Sequence, residues 1–183
     1  QDQQQHLELA RDIANRFNSV YGETFKVPNA VFNKTGTKIY SLQEPDKKMS
    51  KSDENPNSYI ALLDDKDTII RKFKRAVTDS DTVVCRAEGK HGINNLMNIY
   101  ACFTGKSDAE IEREFEGKGY GVFKLAVGEV VAEALSPVQA EFNKLISDKA
   151  FLESVMKTGA EKAIRKSRKT LLKTYKKVGF VQL

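Results

Sequence analysis

The sequence has 183 residues, 40% of them hydrophobic and 30% charged, a balance that belongs to a folded globular chain and excludes a disordered one. A net charge of +5 and a pI near 9.1 favour a polyanionic partner. No apolar run approaches the length of a membrane span, and the opening QDQQQHLELAR lacks the cationic start and apolar core of a secretory leader, so the expectation is a soluble, cytoplasmic protein with no membrane role.

A helical pattern begins at once. Leu7, Ala10, Ile13, Phe17 and Val20 recur at three- and four-residue steps and predict a helix over 3–21 that stops at Gly22. Its apolar face requires cover, and a helix with no strand before it reads as the tail of something longer. TFKVPNAVF (24–32) is strand-like, Gly36 reads as a turn, and a short strand is expected over 38–42. A polar loop over 43–57 and a short apolar run over 60–63 follow.

From Asp65 the pattern becomes helix after helix. Asp67 or Thr68 is expected to cap IIRKFKRAV, and Gly92 precedes a helix whose Ile93, Leu96, Met97, Tyr100 and Phe103 share a face. Ser107 and Glu110 have the spacing of a capping box. After the glycine-rich GKGYG, a long helix is expected over 122–147, with Pro137 kinking or dividing it. Asp148 should cap a final run in which Phe151, Leu152, Val155 and Met156 are core candidates, with Ile164, Leu171, Leu172, Tyr175 and Val178 continuing the stripe. The pattern is mainly α: the end of an α/β domain, then an all-α bundle.

The loop reads KKMSKSDENPN from Lys47 to Asn57. Lys48 and Lys51 lie three apart, with Ser50 between them and Ser52 after, so two ammonium groups can reach neighbouring oxygens of a polyphosphate while the hydroxyls add donors. Such donors act best where charge grows in a transition state, because they need no reorganisation then. Met49 is the apolar anchor of a loop expected to be mobile. Composition alone also allows a solvated loop with no chemistry.

The word KMSKS is the signature loop of class I aminoacyl-tRNA synthetases. Together with QDQQQHLELARDIANRFN, YSLQEPDKKMSKSD, KRAVTDSD and GAEKAIRKSRKTLLKTYKKVGF, it resembles the bacterial tryptophanyl-tRNA synthetases through essentially the whole chain. That resemblance implies the end of a Rossmann-like catalytic domain over 1–64 and a helical anticodon-binding domain over 65–183, with packing of the last helix back on the catalytic domain as one expectation for it. It implies ATP-dependent activation of tryptophan and transfer to tRNA(Trp), with Mg2+ accompanying ATP and no metal site on the protein. Lys48 and Lys51 match the lysines that stabilise the departing pyrophosphate, with Met49, Ser50 and Ser52 completing the nucleotide-binding loop. Asp2 belongs by resemblance to the ATP site, Gln3 to the tryptophan pocket and Ile39 to the adenine contact. Chain-end fraying for Asp2 and Gln3, and a plain core role for Ile39, stand beside those readings.

The second class I signature, of the HIGH type, is absent from the sequence, as are the first half of the nucleotide-binding sheet and most of the tryptophan pocket. The chain is therefore expected to be a C-terminal part, inactive alone, of an enzyme that dimerises through the N-terminal part. Cys85, His91 and Cys102 have no zinc-like spacing, and His6 is read as orienting the first helix. In the basic run of residues 161–177, phosphate contacts from Lys162, Arg165, Lys166, Arg168 and Lys169 to tRNA compete with a solvated helix face. Lys173, Lys176 and Lys177 equally fit packing on the catalytic domain. No DNA partner is expected. The rival reading is a non-catalytic, basic, helical tRNA-binding module, and an unrelated interaction protein would require an accidental likeness.

Overall fold

The computed structural model describes residues 3–31 and 38–181. Among them are six helices: α1 (Gln4–Tyr21), α2 (Lys66–Lys74), α3 (His91–Thr104), α4 (Asp108–Glu114), α5 (Gly119–Ser147) and α6 (Lys149–Val178). The chain forms two compact units, one of residues 1–32 with 145–183 and one of residues 33–144. No helix among the described residues is long and apolar enough to cross a membrane.

In the unit of residues 33–144, α2, α3, α4 and most of α5 turn their apolar stripes inward. Phe73, Ile93, Met97, Ile111, Phe123 and Val127 are sealed from solvent. Tyr100, Phe115 and Phe123 meet edge to face, with centroids 4.8–5.8 Å apart. Two glycines set how closely elements approach. A Cβ on Gly92 would lie 2.2 Å from the Val77 carbonyl oxygen, and one on Gly128 would lie 3.1 Å from Ile70 Cα. Lys72 is buried, and its ammonium donates to Asp64 Oδ2 at 2.6 Å and to the Tyr59 carbonyl at 3.0 Å. Gln139 Nε2 donates to the carbonyls of Leu62 and Asp64. The segment after the lysine loop is thus held to α2 and α5.

Helix ends follow local chemistry. Asp65, not Asp67 or Thr68, caps α2: its backbone is extended and its Oδ1 accepts the Thr68 N–H at 2.7 Å. Ser107 and Glu110 form the expected capping box of α4. α5 starts at Gly119 rather than at 122 and continues unbroken past Pro137. Residues 133, 134, 136, 137 and 138 are exposed, so water can satisfy the carbonyl that the proline leaves without a partner. Asp148 caps α6 through Phe151 N–H at 2.9 Å, and Gly179 closes it in the left-handed region at φ 82°.

Neither expected strand forms among the described residues. The segment from Thr24 spends its backbone groups on α1: Asn18 Oδ1 accepts from the N–H of Thr24 and of Phe25, and Asn18 Nδ2 donates to the Phe25 carbonyl. Arg11 donates to the Pro28 carbonyl and to Asn29 Oδ1. At 38–42 one antiparallel bridge, Tyr40 with Lys48, is all that remains of a strand. The turn at Gly36 lies outside the described residues.

The core candidates of the last helix also fail. α6 has no buried residue, Met156 is 73% exposed and Ile164 is 57% exposed. On α3, Phe103 points outward while its four stripe partners are buried.

Candidate functional site

The lysine loop is a closed excursion from the 33–144 unit. Its neck is the bond from Leu42 N–H to the Ser58 carbonyl at 2.9 Å, between two buried residues. Leu42 accepts in turn from Val77 N–H at 2.7 Å, and Gln43 Nε2 donates to the Arg75 carbonyl at 3.0 Å. Inside the neck the loop folds back on its own lead-in: Ser41 N–H donates to the Lys47 carbonyl at 2.9 Å, and Met49 N–H donates to the Ile39 carbonyl at 3.0 Å. The backbone of Lys48 therefore lies directly opposite Tyr40.

Side chains brace the turn. The buried Ser41 hydroxyl accepts from the N–H groups of Gln43 and Glu44. Lys47 pairs with Glu44, and that hydrogen bond, then the charge of Glu44, raises the lysine pKa. Met49 and Ile39 pack on the apolar core, so the apolar anchor is real and the adenine-contact candidate is half inside. Beyond Met49 the loop's bonds among the described residues are to near neighbours: Ser50 and Ser52 hydroxyls lie 2.9 Å apart, Asp53 N–H donates to the Ser50 carbonyl, and Asp53, then Asn55, accept from the N–H two residues on.

The structure thus gathers Ile39, Lys48, Met49, Ser50, Lys51 and Ser52 into one substructure. Lys48, Ser50, Lys51 and Ser52 are exposed. Such an arrangement presents ammonium and hydroxyl groups on a base fixed by main-chain bonds, the form a phosphate-binding loop requires. Gln3 lies in the other unit, exposed at the N-terminal end of α1, and Asp2 lies outside the described residues.

The basic residues Lys162, Arg165, Lys166, Arg168 and Lys169 are all exposed on α6. Lys162, Arg165, Lys166 and Lys169 share one face by their spacing, and Arg168 departs from it. Further along, Lys177 Nζ donates to the Gly22 carbonyl at 2.8 Å, and Lys173 Nζ to the Glu23 carbonyl at 3.0 Å. These two cations meet the carboxyl end of α1, where the helix dipole favours positive charge.

Sequence reasoning passed over Asn95. It is 2% exposed on α3, its Oδ1 accepts the Tyr40 N–H at 2.9 Å, and its Nδ2 donates to the Tyr40 carbonyl at 2.8 Å. The available signal was a polar residue inside an otherwise apolar stripe, next to Leu96 and Met97.

The matching family model is that of tRNA synthetases class I (W and Y), over residues 1–136. A tryptophan–tRNA ligase of Clostridium acetobutylicum is 49% identical over 180 residues, 98% of this chain and 54% of the relative. One from Wolinella succinogenes is 49% identical over 181 residues, 99% of this chain and 55% of its own. The chain spans about half the length of the curated relatives it matches. Among solved structures, tryptophanyl-tRNA synthetase from Mycoplasma pneumoniae superposes with a TM-score of 0.86 at 29% identity, covering 98% of this chain and 54% of that one. The Campylobacter jejuni enzyme complexed with ADP and tryptophan gives 0.71 at 29% identity, covering 98% and 55%. With the loop geometry and a family model spanning residues 1–136, this chain belongs to the class I tRNA synthetases of the tryptophan and tyrosine group.

Proposed function

We propose that the chain is the carboxyl-terminal part of a tryptophan–tRNA ligase and carries its pyrophosphate-binding lysine loop. The observation that carries this reading is the KMSKS segment itself, held at its base by Tyr40, Leu42 and Ser58 with Lys48 and Lys51 at the surface. The 49% identity to tryptophan–tRNA ligases favours tryptophan over tyrosine as the amino acid.

In the first half-reaction a tryptophan carboxylate oxygen attacks the α-phosphorus of ATP. The bond from that phosphorus to its bridging oxygen breaks, and pyrophosphate leaves with the electron pair. Lys48 and Lys51 offset the charge that grows on the leaving group, while Ser50, Ser52 and nearby N–H groups orient its oxygens. Ile39 lines the approach to the adenine, Asp2 serves the ATP site and Gln3 the tryptophan pocket. In the second half-reaction a 3′-terminal ribose hydroxyl of tRNA(Trp) attacks the aminoacyl carbonyl and AMP departs. Magnesium enters with the nucleotide: the loop offers cations and hydroxyls rather than a carboxylate cage, and its own side chains do the work described above.

Functionally, residues 1–64 close the catalytic domain and residues 65–183 form the anticodon-binding domain. The face of α6 bearing Lys162, Arg165, Lys166 and Lys169, with Arg168 beside it, meets tRNA phosphates. Because the chain matches about half of each relative, the 183 residues alone bind tRNA but do not form the adenylate.

The deciding experiment is ATP–pyrophosphate exchange by the full-length protein with tryptophan or tyrosine as the amino acid. Tryptophan-dependent exchange, absent in the isolated chain, is the expected result. Exchange driven by tyrosine, or by the isolated chain, contradicts the reading.

A further inference from the structure

The pairing of Tyr40 with Lys48 leaves a specific geometric debt. In an antiparallel bridge of this kind the flanking residues, here Ile39 with Met49 and Ser41 with Lys47, make the cross-chain bonds. The N–H and carbonyl of the central residue, Tyr40, then point to the opposite side, where a further strand would lie. No further strand is present there among the described residues. The side-chain amide of Asn95 stands in its place, accepting from Tyr40 N–H and donating to the Tyr40 carbonyl. Of the uncharged side chains only an amide carries a donor and an acceptor in the fork that matches a peptide group.

Asn95 lies in the second turn of α3, among residues that are buried. Ile93, Leu96 and Met97 are all sealed in the core of the 33–144 unit. One turn earlier, His91 Nδ1 lies 3.4 Å from Asp46 Oδ1 on the loop itself. The helical core and the lead-in to the lysine loop are therefore joined by a buried, two-bond contact between residues 55 positions apart.

We propose that Asn95 is a positioning residue of adenylation: it fixes the Tyr40 peptide, through which the Lys48 backbone, and so the Lys48 ammonium, is aimed. This inference rests on the assignment of Lys48 to pyrophosphate given above. Loss of the amide frees the inner pairing of residues 39–41 with 47–49 while leaving the neck at Leu42 and Ser58 intact. Lys48 is then misaimed without leaving the site.

The test is a double-mutant cycle on tryptophan-dependent ATP–pyrophosphate exchange in the full-length protein, with wild type, Asn95→Ala, Lys48→Ala and both together. The expected result is a fall in kcat of about 10- to 100-fold for Asn95→Ala, the scale of a small displacement of a positioned group, with KM for tryptophan unchanged. Added to Lys48→Ala, the same change should cost nothing further, since its effect runs through that lysine. An equal loss in both backgrounds, or an unchanged kcat, overturns the proposal. Asn95→Ser, whose hydroxyl retains one of the two bonds, enters the same cycle where the alanine variant does not fold, and a kcat equal to wild type overturns it equally. A wild type that exchanges no pyrophosphate with tryptophan overturns the assignment of the loop and this inference with it, whereas an active wild type indifferent to Asn95 overturns only the inference.

Discussion

Among the described residues, the 33–144 unit holds nearly all of the buried apolar side chains, whereas on α1 and α6 most apolar side chains are partly or largely exposed. Both regions carry helical stripes of similar regularity in the sequence. In the first, α2, α3, α4 and α5 close around Phe73, Phe123 and Met97, and even a lysine and an asparagine are buried with partners. In the second, Ala14 is the one buried residue among those described, and Lys173 and Lys177 tie α6 to the carboxyl end of α1 by hydrogen bonds. Periodicity reports which face is apolar and is silent on what covers it. The lysine loop grows from the region with its own core, so its base inherits that rigidity.

Truncations separate the two regions most sharply. Phe123→Ala removes a ring with no exposure from the aromatic cluster and should cost about 3–5 kcal/mol in urea unfolding. Val155→Ala on α6, half exposed, should change stability by less than about 0.5 kcal/mol. Comparable losses at both positions would erase the contrast.

A smaller effect concerns pH. Tyr120 donates to Asp79 Oδ1 at 2.7 Å, and burial, then that bond, pushes its pKa up to about 12 from 10.0. Lys90 Nζ, 3.2 Å from the same hydroxyl, acts in the opposite direction. The fold favours the protonated phenol, so this contribution is complete below pH 10.0 and is lost as pH rises toward about 12. Tyr120→Phe should cost about 1 kcal/mol at neutral pH and flatten stability across that alkaline window. An undiminished alkaline fall in the variant would place its origin elsewhere.

Much of the fold was legible where one local rule suffices. The capping box at Ser107, the cap at Asp148 and the helix stop after Tyr21 depend on neighbours in sequence, and each is present. The strand at 24–32 was not legible, because its rival was a set of side chains, Asn18 and Arg11, waiting on α1. Asn95 shows in the sequence only as a polar residue within an apolar stripe, and its partner was not legible because it lies 55 residues away. The loop lysines stood out through a five-residue word, yet the word says nothing of Ser41, Leu42 and Ser58, which close its base.

The central claim is that the exposed lysines of this pinned loop act on charge formed in the transition state. Its most direct test is Lys51→Ala in the full-length protein, comparing the rate of tryptophanyl-adenylate formation with the affinity for tryptophan. The expected result is a rate lower by about two orders of magnitude or more at unchanged tryptophan affinity. An unchanged rate, or a loss confined to tryptophan binding, would contradict it.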